Sequence, residues 1–320
     1  MDVAQFCTQS NVVVVAGKGG VGKTTVTAAL GLVAARAGLR VLLVGLDDQL
    51  GLPALFGGTA SLTYEPAPLA AGLLGEAAGT LFGQLITSEA ALLEYLADHG
   101  MRRIAKRLVQ TGTLDVIATA IPGIREVLVL GKLKQLEQAG GADLIVVDAP
   151  ATGHALTFLT SSSGVLDAAR GGPLRSQAQA VVEMLSDGAR CSVMLVTVPE
   201  ETPINELVES AYQLEDEVGV KLGPIVVNGC FPSSSSLGVD PASAARRDGL
   251  QVDQATLRAI EDAATFAANQ IRLQKEQLTR LAEAIALPRL MLPGAFVASA
   301  GPKELAELAD VLASAVEALP

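Results

Sequence analysis

Residues 17–25 read GKGGVGKTT. Gly17, Gly22, Lys23 and Thr24 satisfy the spacing G-x-x-x-x-G-K-[ST], in which a glycine-rich turn directs backbone N–H groups at phosphate oxygens. Gly19 and Gly20 add to the freedom of that turn, and Val21 and Thr25 complete the stretch that would hold the phosphates. Lys23 neutralises β- and γ-phosphate oxygens, and Thr24 offers a hydroxyl to Mg²⁺. The expected ligand is therefore a nucleoside triphosphate with Mg²⁺. Lys18 is surplus to this pattern. It precedes the anion-binding turn, so its side chain is expected to point away from its own phosphate pocket.

The elements that must position this loop are legible on either side of it. NVVVVA, before it, is a β-branched run with no polar break, the pattern of a buried strand in a parallel sheet. TVTAALGLVAARAG, after it, is Ala- and Leu-rich and ends at Gly38, the pattern of a helix with a glycine stop. The helix N-terminus adds partial positive charge to the phosphate site.

Further buried strands are expected at Val41–Leu46, Leu114–Ala118, Leu144–Asp148, Ser192–Val198, Ile225–Asn228 and Arg289–Leu292, with helical stretches between them. Such alternation predicts an α/β fold with a doubly wound, mainly parallel sheet. Two stretches break the rhythm. Residues 66 to about 112 carry no strand signal but have apolar residues at helical spacing, among them Leu81, Leu85, Leu92 and Leu96. Residues 155–188 are similar. Both are expected to form one helical subdomain inserted into a single nucleotide-binding domain of 320 residues. Residues 233–249 read as a long surface loop.

Composition narrows the class. The chain is 50% hydrophobic and only 3% aromatic, ample for a large core. No apolar run reaches the length of a membrane span, and the N-terminus carries no secretory pattern. A cytoplasmic protein is expected, or one held at the membrane through a partner. The net charge of −11 argues against nucleic acid or an anionic membrane as the main partner. Cys7, Cys191 and Cys230 form no CxxC pair, so no zinc or iron–sulfur cluster is expected.

With its early lysine, GKGGVGKT resembles the loop of the deviant phosphate-loop ATPases: the MinD/ParA group, the nitrogenase iron protein, and the ArsA and tail-anchored-protein-targeting ATPases. DAPATGHAL (148–156), TAIPGIREVL (119–128), VTVPEETPINE (196–206) and VVNG (226–229) resemble segments of the ArsA and targeting branch specifically. Two departures stand out. GLDDQ (45–49) replaces the family's STDPA in switch I, and Ala149-Pro150-Ala151 replaces Thr-Ala-Pro in switch II.

The resemblance implies roles for particular residues. Lys18 would reach across a dimer interface to the phosphates of the other subunit, as an arginine finger does. Asp47, rather than Asp48, would occupy the switch I position that orients the attacking water. Asp148 would hold Mg²⁺ through water. Thr152, Gly153 and His154 would form switch II, with Gly153 following the γ-phosphate and His154 acting as a hydrogen-bonding relay to the helices rather than as a base. Asn228 would read adenine, an amide being able to both donate to and accept from the purine edge. Leu292, Pro293 and Gly294 would pack beside the base.

The implied activity is ATP hydrolysis by a nucleotide-gated dimer, either a homodimer or a heterodimer with a related ATPase. Its output would be a conformational change in an unidentified protein client or membrane partner. An anion-pump subunit, a carrier of hydrophobic segments and a weakly hydrolysing regulatory half of a heteromer all remain open. A positioning ATPase is disfavoured, because ELAELADVLASAVEALP at the C-terminus has acids and no base.

Overall fold

A computed structural model describes residues 1–46, 51–69, 72–75, 78–111, 123–168, 171–233, 235–294 and 300–320; for 151–154 and 235–236 it describes the backbone alone. The strands are Val12–Gly17 (β1), Arg40–Gly45 (β2), Ala67–Pro68 (β3), Thr80–Leu85 (β4), Leu144–Ala151 (β5), Cys191–Thr197 (β6), Lys221–Leu222 (β7), Ile225–Cys230 (β8) and Arg289–Pro293 (β9). They form one sheet in the order β3-β4-β2-β5-β1-β6-β8-β9, with β7 on β6. Every pairing is parallel except the short β3–β4 contact at the edge. The β-branched run VVVV lies in β1, flanked by strands on both sides and almost wholly buried, as a strand covered on both faces requires.

The helices are Val3–Cys7 (α1), Lys23–Arg36 (α2), Gly51–Leu55 (α3), Ser88–Asp98 (α4), Arg102–Thr111 (α5), Ile124–Ala139 (α6), Thr152–Ala168 (α7), Pro173–Ser186 (α8), Glu201–Gln213 (α9), Pro241–Arg247 (α10), Gln254–Ala284 (α11) and Pro302–Glu317 (α12). They cover both faces, as a doubly wound sheet requires. On one face α2 is buried beneath α12, and its Val26, Leu30 and Val33 pack with Leu305, Leu312 and Val316. On the other face Leu92 and Leu96 of α4, Leu130 of α6, Leu159 of α7, Val181 of α8 and Leu207 of α9 share one core with the sheet. Among the described residues no helix is long and apolar enough to cross a membrane.

Three expectations need correction or comment. Residues 66–112 are not without strands: Thr80–Leu85 is β4, paired along its whole length with β2. Leu81 and Leu85, four residues apart, mimic helical spacing, and Gly83-Gln84 breaks the apolar run. The pleat nevertheless governs, with Leu81 buried and Phe82 facing out. Gln84 is buried here because its Nε2 donates to the Tyr64 carbonyl at 2.7 Å. The expected surface loop at 233–249 contains α10, whose N-cap Asp240 accepts from the Ser243 N–H at 2.8 Å. The expected strand at Leu114–Ala118 lies outside the described residues.

One charged cluster ties the lower end of the sheet to the helical layer. Arg190, at the entrance to β6, grips Glu137 of α6 with both Nη2 and Nε, at 2.6 and 3.2 Å. Asn11, before β1, donates to the same carboxylate at 3.0 Å. The Arg190 bonds hold the Glu137 carboxyl below the usual range. A group with a lowered folded pKa stabilises the fold above its unfolded pKa and loses that contribution as the pH falls through the folded value. Glu137→Gln should therefore destabilise the protein by about 2 kcal/mol at neutral pH. Chemical denaturation at several pH values should show this gap closing below about pH 4.

Candidate functional site

The loop between β1 and α2 is fixed from two sides. Gly17 ends β1 opposite Val196 of β6, and a Cβ at Gly17 would run into the Val196 carbonyl oxygen. Gly22 caps α2 in the left-handed conformation, with φ of 90°, and a Cβ there would strike the Asn228 amide. Both positions therefore exclude any side chain. Gly19 and Gly20 form the exposed crown of the loop, while Val21 is buried beneath it. Lys23, Thr24 and Thr25 make the first turn of α2, so the loop's N–H groups and the positive helix end converge on one edge of the sheet.

The side chains expected at this edge come together. Thr24 Oγ1 donates to Asp148 Oδ2 at 2.7 Å, and Asp148, in β5, is 1% exposed. A hydroxyl and a buried carboxylate joined beside the loop offer the hard oxygen donors that Mg²⁺ prefers, so these residues fit that ion. Lys23 Nζ donates to the Lys18 carbonyl at 3.2 Å. Burial lowers the Lys23 pKa, while the Asp148 charge opposes that shift.

The two lysines diverge. Lys18 Nζ lies 2.7 Å from Glu206 Oε1 on α9, with both side chains more than a third exposed. This partner is 188 residues away in the chain, and no spacing rule flags it. The signal available was the acid-rich start of α9 directly after β6.

Asn228 lies on β8 as expected at the loop, but its Nδ2 donates to the Val21 carbonyl at 2.9 Å. It is a brace for the loop, which sequence reasoning missed. Pro293 and Gly294 sit beside it, Pro293 opposite Cys230 and Gly294 N donating to the Cys230 carbonyl at 3.0 Å. Leu292 is different: it is fully buried in the α2–α12 core. Its side chain packs there because alternate residues of β9 face opposite sides. Asp47 and Asp48 lie outside the described residues. Thr152, Gly153 and His154 open α7 directly after β5, with no intervening residue, and their side chains lie outside the description.

Two cavities flank the loop. One of about 360 Å³ opens at the ends of β2 and β5, lined by Leu46, Ser88, Arg125, Glu126 and Phe158. Another of about 310 Å³ lies at the ends of β6 and β8, between Pro199, Gly229, Phe231 and the glutamines Gln270 and Gln274 of α11. The cysteines take no part in either. Burial pushes the Cys7 and Cys191 thiols up to about 12 and Cys230 up to about 11.

A glycine loop between a central parallel strand and a helix, with a buried acid in the adjacent strand, defines a phosphate-loop nucleotide-binding protein. The sequence profile described as "Anion-transporting ATPase" matches residues 10–168 and 173–284. ATPase BagA of Mycobacterium tuberculosis is 34% identical over 259 residues, covering 77% of this chain and 71% of that protein. The arsenical pump-driving ATPase of Escherichia coli is 27% identical over 238 residues, covering 68% of this chain and 39% of that protein. Its counterpart in Acidiphilium multivorum is 27% identical over 240 residues, covering 69% and 39%. The chain belongs to the anion-transporting ATPase family.

Two outcomes test this site. Asn228→Ala removes the brace from under the loop, and should weaken ATP and GTP alike by about 1 kcal/mol, roughly fivefold. Calorimetry with both nucleotides checks this, since a pure base-reading role would lower ATP affinity alone. Native protein should leave all three thiols unreacted with a disulfide reagent at pH 8, and release them only on denaturation.

Proposed function

We propose that this chain hydrolyses ATP as a nucleotide-gated dimer and passes the resulting conformational change to a client or partner protein. The observation that carries this reading is the divergence of the loop's two lysines. Lys23 turns back onto the loop, 3.2 Å from the Lys18 carbonyl, and Lys18 leaves it for Glu206, 2.7 Å away. Lys23 suffices for phosphates bound in its own subunit. Lys18 is a second cation pledged to no local phosphate. An ion pair as exposed as Lys18–Glu206 contributes about 1 kcal/mol or less. A triphosphate in an apposed subunit would therefore draw Lys18 from Glu206.

The remaining roles follow from position. Mg²⁺ held by Thr24 and, through water, by Asp148 would neutralise charge on the β- and γ-phosphates. By the family resemblance, Asp47 would accept a hydrogen bond from the attacking water and aim it at the γ-phosphorus. The Pro293–Gly294 turn, beside Asn228, would border the base. Because β5 runs straight into α7, a Gly153 that tracks the γ-phosphate would tilt the helix itself. α7 packs through Val165 on Val127 of α6 and Ala178 of α8, so the tilt would spread through the helical layer. That layer is where a client would feel the nucleotide state.

Lys18→Ala and Asp47→Asn should each bind ATP nearly normally and each lose hydrolysis, because both groups act mainly in the transition state. In a mixture, half of the sites in a mixed dimer have their own Asp47 and an intact Lys18 from the partner. Steady-state phosphate release should recover on mixing. If it does not, with subunit exchange confirmed by mass spectrometry, Lys18 does not act across a homodimer. A lysine from a different, related chain would then be required.

A further inference from the structure

The helix α5 carries Arg102, Arg103, Lys106 and Arg107, four of the chain's 23 basic residues within six positions, in a protein of net charge −11. The helix is held to the core along one stripe only. Met101, just before it, and Ala105 and Leu108 within it pack inward at i, i+4 and i+7, and the other eight residues of α5 are exposed. Arg103, Lys106, Arg107 and Gln110 fall on the opposite side, facing solvent, with Arg102 at its margin. Ile104 and Val109 flank that face and are 50% and 55% exposed.

Arg36, Arg40, Arg190, Arg247, Arg272 and Arg280 each pair with a carboxylate. Among the described residues no ion pair reaches the four on α5. Two of the three acids of the adjoining α4 are engaged elsewhere. Glu94 binds Lys132 and Tyr64, and Asp98 accepts from Gln135 of α6 at 3.2 Å. The cluster is left uncompensated although carboxylates lie on the next helix.

We propose that α5 is a docking face for an anionic lipid bilayer. Eight of the ten residues of α5 are exposed, so the helix presents its basic face outward to solvent. An acidic peptide needs a groove or an edge to bind with order, whereas a plane of head groups does not. Exposed aliphatic side chains beside long basic ones suit the head-group boundary. The net charge of the chain does not oppose this, because a bilayer senses charges only within a Debye length of about 8 Å at physiological salt. Each cation at an anionic surface is worth roughly a factor of five in partitioning. This inference does not depend on hydrolysis or on dimer closure.

The test is co-sedimentation of the full chain with vesicles of phosphatidylcholine, alone or with about 30% phosphatidylserine. Wild-type protein should sediment with the anionic vesicles and not with the neutral ones. Binding should fall at least tenfold, roughly, as salt rises from about 0.1 to about 0.5 M. The variant R102Q/R103Q/K106Q/R107Q should lose binding by about a hundredfold or more. The control R246Q/R247Q/R258Q/K275Q removes the same charge elsewhere and should bind as wild type does. Absence of binding to anionic vesicles, equal loss in the control, or binding unmoved by salt would each overturn the proposal. So would capture of wild-type protein by a polyglutamate peptide with no vesicle binding, which would give the face to a protein partner. The wild-type salt series decides the question even if the variant does not fold.

Discussion

The phosphate loop can exist only because three strands end at one level. β1 delivers Gly17 against the Val196 carbonyl of β6, and β8 delivers Asn228 beneath Gly22 and Val21. At both contacts backbone or amide atoms occupy the space a Cβ would need. A loop so confined presents its N–H groups without further ordering, so a bound anion is met by dipoles already in place. The parallel order β5-β1-β6-β8 is what brings these neighbours together. The rest of the site inherits that register: Asp148 ends up beside Thr24 because β5 pairs with β1 through Val15.

From this fixed loop two cations leave in different directions, and the difference is one of backbone position. Lys23 sits in the first turn of α2 and folds back over the loop, where Asp148 offsets part of the cost of its burial. Lys18 sits before the turn and finds its counter-ion on α9. Glu206 pairs with Lys18 at the surface without burying it. On the far side of the loop, β5 becomes α7 with no loop to absorb motion. A displacement at the γ-phosphate would then act on a helix that shares its core with the sheet and with α4, α6 and α8. Those helices are thereby packed against the sheet and continuous with the site.

Charge has to be read locally in such a protein. A net charge of −11 describes what a distant partner would meet, yet screening confines interactions to about a Debye length. Six arginines pair with carboxylates within the fold, and the pairing is a tertiary outcome. Glu137 neutralises Arg190 across 53 residues, whereas α5 has carboxylates on the next helix that are turned toward α6. Counting charges along the chain gives the sum but not which of them face solvent uncompensated.

The amino-acid sequence by itself determined the loop, the strands that are buried on both faces, the helix after the loop and the acid carried on β5. These are local patterns: a fixed glycine spacing, an unbroken β-branched run, a period of 3.6 with a glycine stop. A local pattern constrains neighbouring dihedrals, and covalent proximity is enough to read it. β4 escaped, because TLFGQL joins a helical i, i+4 leucine pair to a glycine and a buried glutamine. Only pairing with β2 and a bond to the Tyr64 carbonyl settle its conformation. The partners of Lys18 and of Asn228, the inward turn of Leu292 and the unpaired face of α5 were likewise decided by tertiary structure alone. Each depends on the side of a strand or helix that meets a segment dozens to hundreds of residues away, and packing register sets that side.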